Sequence, residues 1–125
     1  MLKVQEKHLQ KAGEDILQLD GWRIFRIEQN FSERKVKCVG EAGAPDGLYI
    51  RYNTGVTPRA KSQDAQVMFI EWKAPGGTPS TSQRAWIAQE TARGGLVLLA
   101  GADFPCSVEG FLEYYRASGL MRRKL

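Results

Sequence analysis

The chain of 125 residues contains no apolar run of about 18 residues, the length a helix needs to cross a bilayer, so no membrane association is expected. Its first residues, Met1-Leu2-Lys3-Val4-Gln5-Glu6, lack the apolar core of a signal peptide. Cysteine is scarce: Cys38 and Cys106 lie far apart and match no zinc-binding spacing. Two reduced thiols in a cytoplasmic protein are the simplest expectation. Histidine is scarcer still, and a lone residue such as His8 is structural or exposed far more often than catalytic. Repeats, low-complexity tracts and linker-like stretches are all missing, and the length suits one domain with a core better than two, so residues 1–125 are expected to form a single domain. Neither sign of charge dominates. The formal net charge of +4 and pI of 9.2 make a mild bias towards polyanions, nucleic acid above all.

What is present is a folded composition, 42% hydrophobic, with alternating helix and strand signals. Lys3 to Leu19 reads as a helix, with Leu9, Ala12, Ile16 and Leu19 on one stripe and Leu17 widening it. On this phase Glu6 falls roughly 60° from Leu9, inside the apolar arc, and Glu14 falls outside it and is expected in solvent. Gly21 ends the segment. Trp22 to Glu28 reads as a strand, followed by a mixed-charge stretch from Gln29 to Lys37. A glycine-rich turn then leads through Pro45 and Asp46 to a second strand, Leu48 to Tyr52. A polar loop, Thr54 to Gln66, carries Arg59 and Lys61.

The run Val67-Met68-Phe69-Ile70 reads as a strand buried on both faces, because neither alternation of side chains is polar. It continues into Glu71-Trp72-Lys73 and breaks at Pro75-Gly76-Gly77. Ser80-x-x-Gln83 fits a capping box, and a helix follows to about Ala92, its buried face supplied by Ala85, Trp86 and Ile87. Leu96 to Ala100 is another interior strand, expected to run parallel to its neighbour. Val108 to Ser118 is a last amphipathic helix, and a basic tail follows. The fold class is α/β: a small mixed sheet flanked by helices, in the order α-β-β-β-α-β with a final helix.

Glu71 and Lys73 are two apart and share one side of their strand. Charges at the end of a buried strand are costly unless paired. If the second and third strands pair antiparallel, Asp46 comes beside Glu71. Two carboxylates in a partly dry site repel unless one is protonated or a cation lies between them. Mg²⁺ suits such a pair, and the Trp72 carbonyl is placed to join it. Lys73 would then orient or deprotonate a water, or stabilise charge on a phosphate. The bland alternative is a surface ion pair between Glu71 and Lys73, worth little.

Gly43-Ala44-Pro45-Asp46-Gly47, Phe69 to Gly77 and Ser80-x-x-Gln83 together resemble the virus-type replication-repair nuclease (VRR-NUC) domain, a branch of the PD-(D/E)xK nuclease superfamily. The resemblance spans nearly the whole chain. It implies a PD-(D/E)xK nuclease-like core in which Asp46 and Glu71 are the metal-binding acids, with Mg²⁺ or a substituting Mn²⁺, and Lys73 is the catalytic lysine. Gln83 matches a glutamine near the family's active site, although a helix cap explains it equally well. Glu6 matches an acid of the first helix that completes the metal site. Arg51, Arg59, Lys61 and Arg84 are candidate phosphate contacts. The implied activity is endonucleolytic cleavage of DNA, leaving a 3′ hydroxyl. Small stand-alone members of this branch resemble phage or bacterial proteins that cut branched DNA, four-way (Holliday) junctions included, as homodimers. Two rivals are a non-catalytic nucleic-acid-binding module on a nuclease fold and a site-specific restriction nuclease; no appended recognition domain is visible for the latter.

Overall fold

A computed structural model describes residues 2–27, 41–52 and 65–123. Its elements are α1 (Leu2–Leu19), β1 (Arg23–Arg26), β2 (Gly47–Tyr52), β3 (Ala65–Glu71), α2 (Thr81–Ala92), β4 (Leu96–Leu99) and α3 (Val108–Ala117). The strands lie in the order β1-β2-β3-β4. The first two pairings are antiparallel, and β3 pairs with β4 in parallel after the α2 crossover. This is the expected small mixed sheet. No helix among the described residues is long and apolar enough to cross a membrane.

Strand alternation sorts the sheet into two faces. The row Ile24, Tyr49, Met68, Leu96 points to one side. There it meets α1 and α3 in a core built on Leu9, Leu17, Trp22, Trp72, Phe104, Phe111 and Tyr115. The row Phe25, Leu48, Phe69, Val97 points the other way, where the ring of Trp86 on α2 meets Phe69 edge-on at 4.8 Å. Burial of β3 is complete only on the α1 and α3 face, at Met68 and Ile70; on the other face Val67 is 45% exposed, Phe69 is half-buried, and the buried residue is Glu71. Ala85 likewise faces solvent, leaving Trp86 as the buried residue of α2.

The phase of α1 also differs from the expectation. Leu19 is 56% exposed and Glu14 is only 2% exposed. The buried side runs through Leu9, Gly13 and Leu17, so its centre is rotated by several tens of degrees from the stripe drawn through Leu9, Ala12 and Ile16. Gly13 explains the rotation. It carries no hydropathy signal, yet it marks the closest approach of α1 to the core: a Cβ there would lie 2.3 Å from Cη2 of Trp72.

Gly13→Ala therefore inverts the usual rule. In an exposed helix the change stabilises by about 1 kcal/mol; here the overlap with a buried indole should destabilise by about 1–3 kcal/mol. Urea unfolding measures it, and unchanged or increased stability would refute this packing of α1.

Candidate active site

The antiparallel register of β2 and β3 pairs Gly47 with Ile70, and one step further brings Asp46 opposite Glu71. Asp46 is held from both sides. Pro45 before it is fully buried, and the Asp46 carbonyl accepts the Ile27 N–H at 2.9 Å. Glycine is required after it, since a Cβ on Gly47 would lie 2.2 Å from the Tyr49 hydroxyl. The preceding turn docks on α2. Gly43 has φ of +83° and sits so close to the helix that a Cβ would lie 2.2 Å from the Ser82 carbonyl oxygen. The Trp86 indole donates to Glu41 at 3.1 Å across the same junction.

This docking brings the start of α2 to the end of β3. Lys73 Nζ lies 3.3 Å from Glu71 Oε2 and donates to Gln83 Oε1 at 3.2 Å. Gln83 Oε1 also accepts the Ser80 N–H at 2.8 Å, while Ser80 Oγ accepts the Gln83 N–H at 3.2 Å. The capping box is thus formed, and the same glutamine oxygen touches the lysine. The two roles of Gln83 are compatible: the cap fixes its rotamer, and the fixed oxygen positions Lys73.

Glu71 is 1% exposed, and its Oε1 has no hydrogen-bond partner among the described residues. Burial pushes its carboxyl up to about 7; Lys73 opposes the shift, and the charges of Asp46 and then Glu6 add to it. Asp46 is open to solvent, yet desolvation of its carboxyl moves it upward too, against the pull of Lys73. The pair is therefore asymmetric, with one acid enclosed and one at the surface. Glu6 is half-buried on α1 and contributes a negative field at Glu71.

The other expected site residues divide by position. The side chain of Trp72 points away from the acids into the core, donating from Nε1 to the Tyr49 hydroxyl at 2.8 Å. Arg51 does not present itself to a phosphate: it is 2% exposed, pairs with Asp20 at 2.9 Å, bonds Gln66 and lies 4.3 Å over the Trp22 ring. That role follows from its parity, which turns Arg51 to the same core face as Tyr49. Arg84 is exposed on the first turn of α2. His8 is exposed on α1. Arg59, Lys61 and Cys38 lie outside the described residues.

Sequence reasoning missed a buried chain behind the site. Tyr49 donates to Glu14 Oε2 at 2.6 Å while accepting from Trp72. Glu14 also pairs with Arg26 at 3.1 Å. Burial holds the Tyr49 hydroxyl far above its ordinary range, and Glu14 reinforces this, so Tyr49 acts as a neutral donor. The available signal was two glycines, Gly13 and Gly47, flanking one tyrosine and one tryptophan.

Among the described residues, no three His, Cys, Asp or Glu side chains gather into a ready metal cage. Glu6 therefore does not close with Asp46 and Glu71 into a three-acid set. The two acids nonetheless fit Mg²⁺, which is usually bound through one or two carboxylates, waters and substrate phosphates. The unpartnered, buried Glu71 Oε1 is the oxygen such an ion would satisfy. No family model, curated protein or solved structure matches the chain, so the likeness to VRR-NUC domains rests on the motif residues and their order.

The raised carboxyl makes stability depend on pH. An unfolded Glu71 titrates near 4.5 and the folded one near 7. Between these values only the folded state keeps the proton, so metal-free stability falls as pH rises from 4.5 through 7 and then levels off, by roughly 3 kcal/mol for this group. Glu71→Gln should abolish that fall and leave the variant the more stable protein at pH 8. Urea melts in EDTA from pH 5 to pH 8.5 test this; parallel curves for wild type and variant would contradict it.

Proposed function

We propose that this chain is a VRR-NUC-type, metal-dependent endonuclease that hydrolyses phosphodiester bonds in DNA. The observation that carries the reading is the enclosed Glu71 oxygen, without a partner among the described residues, beside Asp46 and an anchored Lys73. A simple surface ion pair between Glu71 and Lys73 accounts for neither the burial of Glu71 nor the second carboxylate opposite it.

Asp46 and Glu71 would hold Mg²⁺, or Mn²⁺ in its place, with the Trp72 carbonyl as a further oxygen. When bound, the ion supplies positive charge at a phosphate oxygen and acidifies water. The residues of the chain do the rest. Lys73 is held by Gln83 and Glu71 at the mouth of the acid pair, where its ammonium can orient the attacking water or meet charge developing on the phosphate. Asp46, on the open side, faces the incoming strand. Arg84, exposed one residue beyond Gln83, is a candidate among the described cations for a neighbouring phosphate. Arg59 and Lys61 remain candidates for the same task.

The preferred substrate is branched DNA such as a four-way junction, and the active species a homodimer in the cytoplasm of a bacterial or phage-infected cell. A junction offers two symmetric scissile bonds, which suits two sites related by a two-fold axis. With shape as the basis of choice, contacts to the sugar-phosphate backbone position the substrate.

Wild type should cut a labelled four-way junction in Mg²⁺, cut linear duplex far less, and cut neither in EDTA. Lys73→Ala and Asp46→Asn should each reduce cleavage by about 10²-fold or more while binding persists. Cleavage that survives both substitutions would rule out this site. Junction binding without cleavage by wild type would instead establish a binding module.

A further inference from the structure

A cavity of ≈ 380 Å³ opens between the first turns of α1 and α3 and the bend after β3. That is the size range of small-ligand pockets. Two links along the chain tie it to the site. Pro75, which lines it, stands two residues beyond Lys73. Gln5, on its α1 wall, is the neighbour of Glu6, whose charge is felt at Glu71.

The chemistry of the lining selects the occupant. Among the described residues, no Lys, Arg, Asp or Glu contributes to the cavity wall. Among these residues a phosphate group would find no cation, and a metal ion no carboxylate. The walls are Val4, Leu9, Pro75 and Val108, with hydrogen-bonding groups from Gln5, His8 and Ser107 at the margins. Ser107 Oγ accepts the Gly110 N–H and so keeps its own O–H free to donate. Apolar faces with a few polar groups at the edge are the complement of a nucleobase, whose faces are apolar and whose edge carries donors and acceptors.

We infer that this cavity receives an unstacked nucleobase from the strand whose phosphodiester lies at Asp46 and Glu71. The inference rests on the nucleic-acid reading of that site and sharpens it. A base inside an intact duplex is stacked and paired, and taking it out costs free energy; a base at a branch point or in a single strand is already available. The cavity would thus select unpaired nucleotides next to the cut and disfavour plain duplex.

Cys106 supplies a reporter, because its half-buried thiol lines the same cavity. The test uses the full chain carrying Cys38→Ser and Lys73→Ala, which should bind in Mg²⁺ without cutting. Alkylation of Cys106 by iodoacetamide is followed at pH 9 with a saturating single-stranded oligothymidylate 12-mer, or with an abasic 12-mer of the same backbone. Binding of each is measured by fluorescence anisotropy. The base-bearing strand should slow alkylation at least about fivefold, and the abasic strand should not. Val4→Trp, at a position 58% exposed and so tolerant of a larger side chain, should weaken the base-bearing strand by a similar factor and leave the abasic one unchanged. Binding of both strands with equal protection, or with none, overturns the cavity assignment and leaves the nuclease reading standing. Failure to bind any DNA overturns both. Base-dependent protection in a protein whose wild type never cuts would keep the cavity and remove the nuclease.

Discussion

The burial of Trp72 is the constraint on which the site depends. Its ring is enclosed by Gly13 of α1, by Phe111 at 5.0 Å and by Phe104 at 5.7 Å, and its indole N–H is tied to Tyr49. In an extended chain the neighbours of an inward residue point outward on the opposite side. Anchoring Trp72 therefore dictates where Glu71 and Lys73 must go. They lie on the α2 face, next to the Gln83 cap and opposite Asp46, because Trp72 occupies the α1 and α3 face. Tyr49, Glu14 and Arg26 make this anchor polar-satisfied: every group in the chain has a partner, from a buried indole to a half-exposed guanidinium. A fully connected network of this kind fixes one packing where a purely apolar contact would tolerate several.

The same arrangement makes the site uncomfortable when empty of cations. Glu71 is enclosed, faces another carboxylate and feels the field of Glu6, while one ammonium opposes all three. An isolated folding unit has no reason to keep such a group, because an apolar residue there would be more stable. Strain of this sort gathers at sites of chemistry, where charge brought by a ligand relieves it. The asymmetry between enclosed Glu71 and open Asp46 is then useful. The inner acid is fixed in position by rigid surroundings, and the outer one remains accessible to solvent.

Much of this was legible in the sequence wherever one residue carried both a local and a tertiary signal. The apolar runs placed β3 and β4, the Pro45-Asp46-Gly47 start placed β2, and the capping box placed α2; antiparallel pairing of β2 with β3 then implied the meeting of Asp46 and Glu71. Glu14 was not legible, because hydropathy weights a carboxylate as solvent-seeking and cannot register the tyrosine, arginine and glutamine that receive it. Arg51 was misread for the same reason. Its charge suggested a surface, but Asp20, Gln66 and the Trp22 ring satisfy it in the interior. Gly13 left no periodic mark, although it decides which side of α1 is buried. In each case the missing information was the partner, which lies far away along the chain.

Gln83 shows how one atom both caps a helix and holds the lysine beside the acid pair. A capping box requires a long polar side chain at the third helical position, turned back towards the start of the helix. That turn carries the Gln83 oxygen towards the chain entering α2, and the Pro75-Gly76-Gly77 bend makes this the chain that has just left β3. Lys73 lies within reach of the oxygen for that reason. A glutamate at the same position would cap the helix equally well, but it would put a third negative charge beside Glu71 and Asp46 and pair strongly with Lys73. The amide supplies the acceptor without the charge. Helix stability alone does not distinguish the two residues here; the electrostatics of the acid pair does, and it favours glutamine.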